Sequence, residues 1–176
     1  VTGAEEQARL LFLLETAERE GHHLTTTCQR LFSKPIDTAW VHALDSDPEE
    51  SERLDAFVAR FGRLQDTLGN RLIPALLRQL LEASGSALDN LNRMEALGVL
   101  SSVDQWIEAR NLRNRMIHEY MRDAEEFARV LCRARELVPL LTNTYNAIRS
   151  YAAARLESED GWPPLLDSFG ALGGGT

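Results

Sequence analysis

Apolar positions along this chain recur at spacings of three and four residues. Leu10, Leu14, Ala17, Gly21, Leu24, Cys28 and Leu31 form the seam of one helix from about Ala4 to Phe32, which Pro35 ends. Leu54, Phe57, Val58, Phe61, Leu64, Leu68, Leu72, Leu76 and Leu80 describe a second long helix, which Pro74 should kink near Asn70. Phe127, Leu131, Ala134, Val138, Leu141, Tyr145, Ile148 and Ala152 describe a last long helix with a bend expected at Pro139. No useful length alternates with period two. The pattern predicts an all-α chain, an antiparallel up-and-down helical bundle of four to five main helices.

Start and stop signals divide the remainder. Asp47-Pro48-Glu49-Glu50 reads as a helix start, with Asp47 as cap, Pro48 at the first helical position and acids at the positive end of the helix dipole. Residues 35–47 are ambiguous, although Ile36, Ala39, Trp40, Ala43 and Leu44 suit a short helix. Ser84-Gly85-Ser86 stops the second helix, and a short one from about Leu88 to Leu97 closes at Gly98. Ser102-Val103-Asp104-Gln105 and Asp123-Ala124-Glu125-Glu126 read as capping boxes, so the helix between them ends near Tyr120 to Arg122. One helical domain over 1–156 is expected, followed by a Gly/Pro-rich tail over 157–176. Trp162, Leu165, Leu166 and Phe169 suit packing of that tail onto the bundle or a partner.

Composition narrows the function classes. The 176 residues carry a formal net charge of -8, opposite to that of a protein that coats nucleic acid. One lysine, Lys34, stands against eighteen arginines. The two cysteines, Cys28 and Cys132, are far apart in sequence, which argues against a disulfide scaffold or a cysteine-rich metal site and for buried free thiols. The apolar run Leu10–Leu14 is too short for a signal core or a membrane span, and a cytoplasmic protein with no membrane association is expected.

Candidate chemistry concentrates in Arg113-Asn114-Arg115-Met116-Ile117-His118-Glu119-Tyr120. Arginine offers a fork of donors shaped for phosphate. Histidine is the side chain suited to exchange protons near neutral pH. Asn114 and His118 are four apart and share a helix face; Arg113 and Tyr120 are seven apart and share another. The two stripes are roughly a quarter turn apart, with Ile117 between them at the margin of an apolar surface. That placement suits a site at a dimer interface, and equally a half-buried polar cluster. Arg110, Arg113, Arg115 and Arg122 form a local basic group, either an RNA-binding patch or a solvated helix face.

The pattern Arg-Asn-x3-His-x-Tyr, with the apolar pair Met116-Ile117 just before the histidine, resembles the signature of the HEPN superfamily and of its HepT-type toxin branch. The resemblance is sharp over residues 103–122 and weaker over 47–155; the first long helix is an extension beyond it. It implies a metal-independent endoribonuclease toxin, a homodimer with two motifs facing one cleft, and no cofactor. His118 would be the general acid or base for attack of the RNA 2′-hydroxyl on the adjacent phosphate, and Arg113 would hold that phosphate. Asn114 would orient the histidine or the backbone. Tyr120 would position RNA and receive AMP from a partner nucleotidyltransferase that serves as antitoxin. The acidity and length of the chain depart from a minimal member. They leave open a non-catalytic nucleotide-binding or regulatory subunit of a nucleotidyltransferase, or a helical adaptor.

Other constellations point nowhere sharper. His22 and His23 are adjacent and diverge by about 100° on a helix, poor geometry for one metal. They and His42 are expected in solvent. The acidic run Asp45, Asp47, Glu49, Glu50 and Glu52 reads as a solvated cap.

Overall fold

A computed structural model describes residues 3–118, 122–156 and 160–168. Helix α1 spans Gly3–Leu31, α2 Thr38–Ala43, α3 Pro48–Asp66, α4 Ile73–Gln79, α5 Ala87–Ala96, α6 Val103–His118 and α7 Ala124–Leu156. A 3-10 turn over Leu44–Ser46 links α2 to α3, and a π-helical turn over Thr67–Leu72 links α3 to α4. No strand occurs among the described residues, and the all-α expectation holds.

Four rods make the bundle, and cross-contacts give their directions. Thr27 of α1 meets Arg60 of α3, while Glu20 meets Thr67 further on, so α1 and α3 run antiparallel. Gly62 lies by Arg113 and Gly69 by Trp106, so α6 reverses again. Arg115 pairs with Glu126 and Glu108 with Arg133, so α7 opposes α6. The result is an up-down-up-down bundle, with α5 between α4 and α6.

The seams of α1 and α7 are core. Leu14, Ala17, Leu24, Cys28 and Leu31 meet Leu131, Ala134, Val138, Leu141 and Ile148 in one buried cluster. The first helix therefore lies outside the family resemblance but inside the core. Helix α7 continues through Pro139 without interruption.

The kink expected near Asn70 takes the form of the π-helical turn. Pro74 has no N–H and its ring crowds the carbonyl one turn back, at Asn70. A wider turn accommodates the ring without ending the rod. Asp47 caps α3 as read, accepting from the Glu50 N–H at 3.1 Å. Asp123 accepts from the Glu126 N–H at 3.1 Å, while the Glu126 carboxylate turns to Arg115 and Arg129, so only the cap half of that expected box forms. At Ser102 half of the expected box forms, the Gln105 N–H donating to its Oγ at 3.1 Å. Ser86, read only as part of a breaker, caps α5 in a full box with Asp89. Gly98 closes that helix region at φ 73°.

Cys28 is buried, whereas Cys132 is exposed, contrary to the expectation of two buried thiols. Cys132 lies one residue past the buried seam position Leu131 and looks outward, near the carbonyl of Ile36. Glu50, placed in a solvated cap by its sequence, is buried. It accepts from Trp40 Nε1 at 2.9 Å and pairs with Arg53 at 2.5 Å. Burial alone would raise its carboxyl; the Trp40 hydrogen bond and the Lys34 and Arg53 cations outweigh that and hold it below the usual range.

The end of the chain returns along α7. The Tyr145 hydroxyl donates to the Pro164 carbonyl at 2.8 Å and Arg149 Nε to the Pro163 carbonyl at 3.1 Å. Asn146 brackets Leu166, donating to its carbonyl at 2.9 Å and accepting from its N–H at 2.8 Å. Trp162 and Leu166 pack on the bundle as expected, Leu165 is exposed, and Phe169 lies outside the described residues.

Candidate functional site at the end of helix α6

Helix α6 buries Val103, Trp106, Ala109, Leu112 and Met116, a stripe at helical spacing. That stripe fixes where every motif residue points. Arg113 leaves on the α3 side of the stripe and Arg115 on the α7 side. Asn114 and His118 stand exposed on the outer face. Tyr120 lies outside the described residues, so its expected role stays with the sequence.

Arg113 is the best-placed member. Its guanidinium meets Asp66 at the end of α3, Nη2 to Oδ2 at 3.1 Å and Nη1 to Oδ1 at 3.4 Å. Its stem lies over Gly62: a Cβ there would stand 2.6 Å from Nε and 3.3 Å from Cδ. Arg113 is thereby drawn toward α3, while His118, about 140° further around α6, faces solvent. On α6 the Asn114–His118 stripe begins about a quarter turn from the Arg113 position, and Arg113 turns toward α3. The ion pair to α3 decides the direction of the side chain.

The other arginines divide. Arg115 bridges to Glu126 of α7, and its hydrogen bond holds that carboxyl below the usual range. Arg110 is exposed beside Asp66, Asn70 and Trp106, and Arg122 is exposed between α6 and α7. The four do not gather into one patch. Two lean to α3, one to α7 and one to the connection.

Beside Arg113 runs an apolar groove of about 380 Å³, between Leu54, Val58, Ala59 and Gly62 of α3 and Met116 and Ile117 of α6, with Phe127 at its end. Ile117 is 53% exposed on its rim. A second groove, of about 420 Å³, lies between α6 and α7 and is bordered by the Arg115–Glu126 and Arg133–Glu108 pairs.

No family model, curated protein or solved structure matches the chain. The site must therefore be read from its own geometry and from the motif.

Gly62 and Asp66 are the residues that sequence reasoning passed over. A signal existed: a glycine within a helical leucine pattern, with an acid four residues later on the same face. Among the described residues no group of His, Cys, Asp or Glu is arranged to hold a metal ion, and no helix is long and apolar enough to cross a membrane. His22, His23 and His42 are exposed.

Proposed function

We propose that the chain is a HEPN-type endoribonuclease toxin that works as a homodimer, needs no metal and is neutralised by a nucleotidyltransferase antitoxin. The observation that carries this reading is the end of α6. An arginine fork and an exposed histidine flank an uncovered apolar rim, in an antiparallel all-α bundle. Ile117 is a knob and the groove of Leu54, Val58 and Ala59 beside it is a hole. A surface carrying both is self-complementary, which is what a two-fold interface requires. Pairing through it sets the α6 ends of two copies together, so that the Arg113 and His118 of both copies border one cleft.

In that cleft His118 takes the proton from an RNA 2′-hydroxyl. The oxygen attacks the adjacent phosphorus, and the bond to the 5′-oxygen breaks as that oxygen takes a proton from solvent, leaving a 2′,3′-cyclic phosphate. Arg113 neutralises charge on the non-bridging oxygens. Asn114, one turn before His118, orients the imidazole. Tyr120 is the acceptor for AMP from the antitoxin, and Tyr120→Phe blocks that transfer. The test is cleavage of RNA by purified protein with and without EDTA, alongside folded His118→Ala. Unchanged cleavage by the variant overturns the assignment.

A second reading has its own observation. The net charge is -8, and Arg113 and Arg115 already hold carboxylates. Such a surface suits a non-catalytic subunit that binds a nucleotidyltransferase or its nucleotide. Complex formation with that enzyme, without RNA cleavage, is the outcome that favours it.

A further inference from the structure

Arg113 is seated by two residues of α3 one helical turn apart. Gly62 gives the stem a floor with no side chain, and Asp66 meets the guanidinium with both oxygens, at 3.1 and 3.4 Å. Arg113 is 31% and Asp66 46% exposed, so the pair stands at the edge of solvent. A carboxylate and a phosphodiester each present two oxygens to the same two-pronged guanidinium edge. Both cannot hold that edge at once. Ion pairs this exposed are weak enough to exchange.

We propose that Asp66 is a built-in competitor at the Arg113 anion site, and that an RNA phosphate binds there by displacing its carboxylate. That the anion is an RNA phosphate rests on the ribonuclease reading; that Asp66 holds the site in the free chain rests on the ion pair. Asp66 is a positioning residue, because it acts through Arg113. It keeps the guanidinium extended over Gly62 and closes it to isolated anions. A phosphate prevails when neighbouring contacts hold the strand in place. This accounts for an arginine site on a chain whose overall charge opposes nucleic acid. Selectivity comes from exchange at one guanidinium, without a broad basic face.

The test uses the full chain and a single-stranded 2′-O-methyl RNA, which lacks the attacking hydroxyl and stays intact. Affinity is read by fluorescence anisotropy across a salt series. Asp66→Asn binds about two- to fivefold tighter than the unaltered chain. Its dependence of log affinity on log salt changes, because displacement of a carboxylate no longer accompanies capture of the phosphate. Arg113→Ala weakens binding and lowers the slope by about 0.7. In Arg113→Ala, the further change Asp66→Asn has no effect. Asp45→Asn, which removes an exposed acid in the turn before α3, at the opposite end of that helix from Asp66, leaves affinity close to that of the unaltered chain. Equal binding by Asp66→Asn and the unaltered chain, with Arg113→Ala weaker, overturns the competitor role while the RNA site survives. A gain from Asp66→Asn that persists without Arg113 also overturns it. Absence of binding by every variant removes the RNA reading and the proposal together.

Discussion

Leu166 occupies the space in front of Gly21. A methyl group at position 21 would overlap Leu166 Cδ1, and the Asn146 bracket holds the Leu166 backbone in place. Glycine inside a helix ordinarily costs about 1 kcal/mol relative to alanine. Here its missing side chain makes room for the returning chain end. Gly21→Ala should therefore bring little or none of that 1 kcal/mol in the natural chain, and all of it in a Leu166→Ala background. Urea unfolding of the four proteins measures the difference. An equal gain in both backgrounds would contradict the packing role.

The heptad seams made the rods readable because burial and helical period coincide there. Leu14, Leu24, Leu131 and Ile148 are all fully buried. Pro74 marked the place of the irregular turn, although proline spacing alone does not say that the turn is π-helical or that Gly69 within it lies against Trp106. Arg113 and His118 were visible as chemistry, yet their directions were not. Local spacing gives an angle on a helix, whereas Asp66, 47 positions away, decides where the guanidinium lies. Gly21 and Leu166 show the same limit, since neither helix period nor turn composition pairs residues that distant.

Glu20 makes stability depend on pH in an unusual sense. Its carboxyl is raised above the ordinary range by burial, against the Thr67 hydroxyl and the Arg63 and Arg71 cations, and Asp66 adds to the rise. Its Oε2 is buried without a hydrogen-bond partner among the described residues. A raised folded value means that the native state favours the protonated acid. The stability from this group is present below the unfolded value and is lost as pH rises through the folded one. Glu20→Gln should therefore melt higher than the natural chain at pH 7, with the gap closing toward pH 4. A lower melting temperature for the variant at pH 7 would refute this.

Ile117 tests the assembly. Both long seams are satisfied within one chain, so they supply no surplus apolar surface for a dimer. The case rests on Ile117 and the groove beside it. The natural chain should scatter light as a dimer at micromolar concentration, and Ile117→Glu as a monomer with unchanged helical circular dichroism. A natural chain that is monomeric under those conditions removes the composite cleft.

His118 and Arg113 carry the chemistry and little of the fold. His118 is exposed at the last position of α6, so His118→Ala should change stability by no more than about 0.5 kcal/mol. Its effect on RNA cleavage should be a fall of about 10²–10⁴-fold, the usual worth of a positioned acid–base group. Arg113→Lys keeps the charge and loses the two-pronged contact, so cleavage should fall although the chain remains folded. Asn114→Ala should have a smaller effect, because Asn114 acts through His118. EDTA should leave all of these rates unaltered. Melting curves and cleavage rates measured on the same preparations separate the two effects. If folded His118→Ala cleaves RNA as the natural chain does, the acid–base assignment fails, and the nucleotidyltransferase-subunit reading becomes the one the surface charge favours.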